Sequence, residues 1–232
     1  CDAGHCNQRN AVDPTCGAGH CCQDNASNPL CDAGHCGCAT CIGGDTPIFS
    51  CTADKIVSAR DVSVGDQIRA VNAEKGESVC SDVYYVFTHE ESDVAIRITT
   101  SLVDAFTVSY DHIVYVGETF EERRPVLSQN VKAGDTLVAT TTSSNDSVKV
   151  LKVENVDMDL VNVLTIDPHL EIQKNGGIVI SAHSVDEAAY RVLFAPIRYI
   201  YLMFGASAVE YMKPLFNVID YSFAKPGLRM IK

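Results

Sequence analysis

A weak internal duplication in the middle of the chain most constrains its fold. Residues 62–70 (VSVGDQIRA) echo residues 131–139 (VKAGDTLVA), 69 positions later. Each copy starts with a turn that carries Gly-Asp and then enters a strand-like segment. Residues 96–100, 106–109 and 148–153 alternate or are rich in β-branched side chains, which is typical of strands. The sequence therefore predicts a mainly β domain, a compact barrel or horseshoe with pseudo-twofold symmetry.

Composition limits the partners of this chain. It has 232 residues, a net charge of −12 and a pI of about 4.9, so we expect no nucleic-acid partner. It contains no uninterrupted apolar run of about twenty residues, and a membrane-spanning helix is not indicated. The chain begins at Cys1 without a signal sequence, and we expect it to be a fragment of a longer precursor.

Cysteines are concentrated at the N-terminal end, where eight of the eleven lie in the first 38 residues. Three similar units, residues 1–6, 16–21 and 31–36, each carry two Cys and one His and are offset by fifteen. Residues 1–40 hold almost no bulky apolar side chains, so cross-links must hold this low-structure segment. Disulfides are favoured and a metal site is the alternative, because structural zinc sites usually contain more closely spaced Cys pairs. Dense cysteines also predict the secretory pathway or the extracellular space.

The odd number of cysteines indicates one unpaired thiol. If Cys41 is that thiol, the other ten can pair. We expect Cys51 and Cys80 to pair or to be buried, with a structural role in either case.

The C-terminal region, residues 184–232, changes from strand-like to helix-like sequence. Residues 184–187 fit a capping box at the start of a helix. Pro196 breaks or restarts that helix, and residues 197–211 predict a second helix that ends near Pro214.

Two interpretations of this tail remain open. Residues 192–232 carry five basic and two acidic side chains, and residues 199–204 are apolar on nearly every side. The tail can contact a lipid or a membrane surface through residues 192–212. Alternatively, its helices pack on the β domain.

The chemistry of the chain centres on Cys41, which opens the first predicted strand directly after Thr40. A thiol there can attack its own upstream carbonyl, in an N-to-S acyl shift that converts the amide into a thioester. The reaction needs protonation of the leaving nitrogen and polarisation of the carbonyl. Ser109 and His112, three positions apart at a strand end, carry a hydroxyl and an imidazole suited to both tasks. The alternative is an ordinary buried or paired cysteine.

Four sequence blocks occur in order: CIGGDTPIF from Cys41, DVSVGDQI from Asp61, VSYDHIV from Val108 and GGIVI from Gly176. Together they resemble the Hint family, the Hedgehog–intein autoprocessing domains. The resemblance implies a Hint domain over residues 41–183.

The same resemblance implies roles for single residues. Cys41 is the expected nucleophile, Ser109 and His112 assist the acyl shift, and Thr46 of the first block joins the catalytic set. We expect neither a cofactor nor a metal.

The end of the chain indicates a branch of the family. It lacks the Asn with which inteins complete splicing, and it continues beyond the last block. That continuation is similar to the segment that follows the Hint core in Hedgehog C-terminal domains, the closest match. By this resemblance the chain is a single-turnover, self-cleaving cysteine peptidase and acyl-transfer domain. It cuts Thr40–Cys41 and passes its own N-terminal segment to a sterol.

The acceptor remains open, because Hedgehog domains activate it with an acidic residue where this chain has Thr88 and His89. His89 is the expected general base, and a solvated surface histidine is the alternative. The acceptor is a sterol, another lipid, a small thiol or water. Among the other histidines, His169 follows an Asp-Pro turn and is expected at the surface, and His183 receives no role.

Two other functions compete with self-cleavage. One is a non-catalytic, secreted, disulfide-rich binding module in which Cys41 is paired. The other is a degenerate Hint domain that stalls at the thioester.

Overall fold

The computed structural model describes residues 15–16, 30–31, 41–110, 112–140, 147–172, 177–182, 192 and 194–223. The chain divides into two compact units, Thr40–Lys213 and a second unit made of Cys1–Ala39 with Pro214–Lys232. In the second unit, β1 (Thr15–Cys16) pairs in parallel with β2 (Leu30–Cys31), which sets Cys16 opposite Cys31, one repeat period apart. The predicted cross-links of the repeats lie outside the described residues.

The larger unit is mainly β, as predicted. Its strands are β3 (Ile42–Gly43), β4 (Pro47–Ser50), β5 (Lys55–Ser58), β6 (Gln67–Val71), β7 (Ser78–Thr100), β8 (Phe106–Ser109), β9 (Ile113–Val116), β10 (Arg124–Leu127), β11 (Thr136–Leu137), β12 (Val148–Thr165), β13 (His169–Ile172) and β14 (Ile178–Ser181). In the part of the chain that the structure describes, these twelve strands form one hydrogen-bonded network. The strands predicted from alternation are confirmed within β7, β8 and β12.

Two long antiparallel strands, β7 and β12, run through this network. They pair from Thr100 opposite Val150 to Val83 opposite Thr165, with three register shifts. Strand β6 pairs with β7, and β11 pairs with β12, so each long strand receives one copy of the duplicated segment. The short strand β3 lies between β8 and β12, which places Cys41, the residue before it, inside the sheet.

The duplicated segments share one backbone structure, which confirms the predicted pseudo-twofold repeat. The Asp66 carboxylate accepts a hydrogen bond from the backbone N–H of Ser63 at 2.8 Å, and Asp135 accepts one from Lys132 at 2.8 Å. The glycine before each aspartate has a φ of 95°, a left-handed conformation that favours glycine. Both copies therefore use the same turn chemistry to enter β6 and β11.

The core of the larger unit is filled by aliphatic and aromatic side chains from most of its strands. Its largest fully buried members are Tyr84, Tyr85, Phe106, Ile42, Ile48, Ile68, Ile96, Ile98, Leu137, Leu160, Leu164 and Ile172. A disulfide joins Cys51, directly after β4, to Cys80 on β7, which confirms that these two cysteines pair. Cys41 is buried and forms no disulfide.

Two helices follow the β domain, α1 (Ala195–Phe204) and α2 (Ala206–Phe223). Pro196 lies in the first turn of α1, where its missing N–H has no intrahelical partner to lose, so it restarts the chain as a helix. The single predicted helix over 197–211 is wrong. Gly205, with a φ of 78°, separates α1 from α2, and α2 continues through Pro214. The capping box at 184–187 lies outside the described residues.

One side of the helices packs on the β domain. Ile197 and Val209 are buried, and the Tyr201 hydroxyl donates a hydrogen bond to the Asp82 carboxylate on β7. Burial, together with the negative charge of Asp82, raises the pKa of Tyr201. The other side exposes large apolar side chains, namely Tyr199, Leu202, Met203 and Phe204. No described helix is long and apolar enough to span a bilayer.

The expectation that His169 lies at the surface is wrong. A bend does precede it, but β13 begins at His169 itself and its side chain is buried. The imidazole packs edge-on against Tyr115 and Phe120, with ring centroids 5.1 and 5.5 Å away. Pairing of β13 with β6 and β14 sets which face each of its side chains occupies, and a local Asp-Pro turn does not reveal that pairing.

Candidate active site

Cys41 is held from both sides of its backbone by Ser109. The Cys41 N–H donates a hydrogen bond to Ser109 Oγ at 3.1 Å, and the Cys41 carbonyl accepts one from the Ser109 N–H at 2.8 Å. These bonds follow from the register. Ile42 pairs with Val108 in antiparallel fashion, so Cys41, the residue before Ile42, faces Ser109, the residue after Val108. The Cys41 side chain is 1% exposed. The nitrogen that a cut at Thr40–Cys41 releases therefore contacts a hydroxyl in a dry environment.

His112 is buried and directly precedes β9 in the sequence. Its ring Nε2 lies 2.7 Å from the Ser181 carbonyl oxygen. A carbonyl only accepts, so Nε2 carries the proton and the neutral ring keeps its lone pair on Nδ1. Nδ1 makes no hydrogen bond of ordinary geometry to a described residue. Burial lowers the pKa of His112 to about 4, partly opposed by the nearby backbones of Ser181 and Cys41. At neutral pH the imidazole is uncharged, and its unprotonated Nδ1 can act as a base.

Thr46 contacts β8 rather than the nucleophile directly. Its hydroxyl donates to the Thr107 carbonyl at 3.0 Å and accepts from the Thr107 N–H at 3.3 Å. Thr107 precedes Ser109 by two residues on the same strand. Thr46 therefore ties the turn after Cys41 to the strand that carries Ser109.

Two further residues, Asn162 beside the β12–β3 pairing and Ser181 against His112, were not predicted from the sequence. Strand β12 pairs with β3 through Val161 opposite Ile42, and one step further the same register sets Asn162 opposite Cys41. Asn162 is buried, and its Oδ1 has no hydrogen-bond partner among the described residues. Ser181 contributes its backbone carbonyl to the His112 ring, and residue type gives no signal for a backbone contact.

The remaining predicted site residues are described in part or not at all. Thr40 and His183 lie outside the described residues, as does the side chain of His89. The backbone places Thr88 opposite Val161, which itself pairs with Ile42, so this part of β7 lies two strands from the nucleophile. Within the described residues, no three His, Cys, Asp or Glu side chains are grouped closely enough to hold a metal ion.

Comparison with known proteins identifies the family. The Hint module matches residues 33–207, well over half of the chain. The "Uncharacterized protein MJ0781" of Methanocaldococcus jannaschii is 30% identical over 131 residues, covering 52% of this chain and 18% of that protein. The chain therefore spans less than a fifth of that relative's length.

Solved intein structures show the same fold. A DnaB intein from Synechocystis sp. PCC 6803 superposes with a TM-score of 0.51 at 14% identity, covering 63% of this chain and 99% of that one. The Ssp DnaB mini-intein variant M86 gives a TM-score of 0.50 at 12% identity, covering 64% and 97%. At such low identity these two matches support the fold alone, whereas the family match extends over all four sequence blocks. The chain belongs to the Hint module family and has the fold of self-splicing and autoprocessing domains.

Proposed function

We propose that the domain cuts its own chain between Thr40 and Cys41 and transfers the N-terminal segment to a nucleophile. The observation that carries this proposal is the hydrogen bond from the Cys41 N–H to Ser109 Oγ. This bond places the Ser109 hydroxyl at the Cys41 nitrogen, which is the leaving group of the proposed cleavage. Residues 1–40 are then the substrate, and the domain acts once.

The first step is an N-to-S acyl shift. Cys41 Sγ attacks the Thr40 carbonyl carbon, a C–S bond forms and the C–N bond to Cys41 breaks. The thiol proton passes to Nδ1 of His112 and from there to the leaving nitrogen, which becomes the free α-amine of Cys41. The N-terminal segment is now a thioester on Cys41.

The environment of His112 leaves Nδ1 unprotonated and makes the protonated ring a strong acid. Its low pKa, about 4, keeps the ring neutral at physiological pH, so Nδ1 is available to accept the thiol proton. The imidazolium formed in that transfer is a strong acid and readily protonates the leaving amine. The Nε2 bond to Ser181 holds the tautomer and the ring orientation throughout.

The second step consumes the thioester. The oxygen of an acceptor hydroxyl attacks the Thr40 carbonyl carbon, the C–S bond breaks, and the acceptor proton returns to the Cys41 thiol. The product is an ester of the N-terminal segment. His89 follows Thr88 on the part of β7 that pairs with β12 opposite β3, and we assign it as the base that activates the acceptor.

A lipid hydroxyl, that of a sterol or another lipid, is the acceptor that the tail favours. Helix α1 exposes Tyr199, Leu202, Met203 and Phe204, and the sequence that follows it is basic, a combination suited to an anionic membrane surface. The Cys51–Cys80 disulfide agrees with the secretory pathway or the extracellular space. We therefore place the domain, as a Hedgehog-type member of its family, at a membrane surface through residues 192–212. A small thiol or water can consume the same thioester.

Intact-mass spectrometry of the full chain in neutral hydroxylamine tests the proposal. Hydroxylamine cleaves a thioester but leaves the Cys51–Cys80 disulfide intact. Wild type should split and Cys41→Ala should remain whole, whereas the double variant Cys51→Ala/Cys80→Ala should still split. An uncut wild type favours the disulfide-rich binding module. Cutting by hydroxylamine without any transfer to lipid or water identifies a domain that stalls at the thioester.

A further inference from the structure

Ser128 is a fully buried residue whose hydroxyl has no part in the proposed chemistry, yet it contacts the segment that carries Ser109 and His112. That segment, residues 109–112 and here called the catalytic turn, is closed by a hydrogen bond from the His112 N–H to the Ser109 carbonyl at 3.1 Å. Its conformation sets where Ser109 Oγ and the His112 ring lie relative to Cys41. Ser128 begins a short 3₁₀ turn that packs beside it.

Three carbonyls of the catalytic turn accept hydrogen bonds from Ser128. Its Oγ lies 2.7 Å from the Ser109 oxygen and 2.8 Å from the Tyr110 oxygen, so its single proton is shared between the two. Its backbone N–H donates to the His112 carbonyl at 2.8 Å. One residue therefore bridges both ends of the turn.

The hydroxyl is not needed to satisfy those carbonyls. The Ser109 oxygen already accepts from the His112 N–H, and the Tyr110 oxygen also accepts from the Gln129 N–H at 3.3 Å. Removing the hydroxyl thus leaves no buried carbonyl without a partner, and the expected loss of stability is modest.

The duplicated half of the fold supplies an internal comparison. Ala59 begins the matching 3₁₀ turn, is equally buried, and donates its N–H to the Thr46 carbonyl at 3.0 Å. The ends of the two turns match as well. The Val62 N–H donates a hydrogen bond to the Ala59 carbonyl at 3.2 Å, and the Val131 N–H donates one to the Ser128 carbonyl at 3.1 Å. The framework therefore accepts alanine at this place. The hydroxyl occurs in the half whose turn carries Ser109 and His112.

We propose that Ser128 is a positioning residue for the acyl shift, whose hydroxyl fixes the catalytic turn so that Ser109 Oγ meets the Cys41 N–H. This inference rests on the proposed function. Without the hydroxyl, the Ser109 and Tyr110 carbonyls each keep one hydrogen bond, and their peptide groups can rotate. Ser109 Oγ then moves relative to Cys41, and His112 Nδ1 loses its fixed approach.

The test compares Ser128→Ala, which copies the residue of the other half, with Ser128→Thr, which keeps the hydroxyl. Ser81→Ala is the matched control, because Ser81 is also buried and accepts from the Asp167 N–H at 2.9 Å, away from the catalytic turn. The readout is the cleavage rate at saturating hydroxylamine, where the acyl shift limits the reaction. Ser128→Ala should be slower by roughly tenfold to a hundredfold, as expected for a misplaced catalytic group. Ser81→Ala should react like wild type, and Ser128→Thr should recover most of the rate.

Melting temperature and imidazole NMR separate positioning from folding. Ser128→Ala should melt close to Ser81→Ala, while the His112 ring signals change from a single Nε2–H tautomer to a mixture. A rate for Ser128→Ala within twofold of Ser81→Ala, or a rate loss matched by unfolding with unchanged His112 signals, overturns the inference. A wild type that never cleaves removes the proposed function instead, and this inference with it.

Discussion

The Cys41 N–H and the Ser109 hydroxyl oxygen lie 3.1 Å apart although 68 positions of sequence separate them. The bond joins the residue before β3 to the end of β8, and it orients the peptide nitrogen that the proposed reaction releases. A hydroxyl at Ser109 therefore has both a structural and a chemical role, and these can be measured separately.

Ser109→Ala should slow hydroxylamine-induced cleavage by roughly tenfold to a hundredfold. It should also destabilise the domain by about 1–3 kcal/mol, because the buried Cys41 N–H loses its acceptor. Ser109→Thr keeps the oxygen and should retain most of the rate. Cleavage time courses and urea unfolding of each variant measure the two effects. An Ala variant as fast as wild type contradicts the role of the hydroxyl.

Stability should depend on pH through His112. Its pKa is about 4 in the folded domain and 6.5 in the unfolded chain, so the unfolded state binds more protons between these values. The contribution of the neutral ring to the free energy of unfolding is therefore complete above pH 6.5. It is lost as the pH falls to 4. The difference between these two pKa values corresponds to about 3 kcal/mol of folding free energy.

Urea unfolding across that range, in a Cys41→Ala background that cannot cleave, measures this dependence. Adding His112→Gln should make the unfolding free energy depend less steeply on pH. The variant removes the titrating ring, while the carboxylates still contribute. Equal slopes for the two proteins would show that His112 titrates normally in the folded state.

Gly43 leaves no space for a side chain where β3 meets β8. A Cβ at this position would lie 2.6 Å from Thr107 Cβ, so Gly43→Ala must push the strands apart. We expect about 1–3 kcal/mol of destabilisation, together with slower cleavage because Ser109 moves with β8. Gly44→Ala is the matched control, since its Cβ would meet only the flexible side chain of Arg60 at 3.2 Å. Calorimetry and cleavage rates that are equal for the two variants contradict this packing account.

The exposed side of α1 should bind anionic membranes. Replacing Met203 and Phe204, 66% and 72% exposed, by Ser should weaken co-sedimentation with phosphatidylcholine vesicles that contain phosphatidylserine. Leu151→Ser is the control, because Leu151 is 57% exposed on β12, outside the tail. Wild type that stays in the supernatant, or equal binding by all three proteins, contradicts the membrane assignment.

Local chemistry made part of this architecture predictable. The Gly-Asp turns repeat because each aspartate bonds within its own turn, and such a pattern is visible in sequence. Cys41, Ser109 and His112 were identifiable because their chemical types occur in a recognisable order. In the structure Ser109 Oγ accepts the Cys41 N–H, and the backbone of Cys41 lies near the His112 ring; their catalytic roles stay predictions.

Other features depend on long-range register and were not predictable. The position of Asn162 beside β3 follows from the pairing of β12 with β3, and the burial of His169 follows from the pairing of β13. Gly205 lies within an apolar run, where local pattern alone does not show whether a glycine ends a helix. The role proposed for Ser128 depends on its comparison with Ala59, which begins the matching turn in the other half of the fold.

Mapping the bond that breaks tests the central claim most directly. Wild-type chain treated with neutral hydroxylamine should yield one fragment that ends at Thr40 as a hydroxamate and one that starts at Cys41 with a free amine, both identified by tandem mass spectrometry. Cys41→Ala should yield neither fragment. A cut at any other bond, or the same cut in Cys41→Ala, contradicts thioester formation at Cys41.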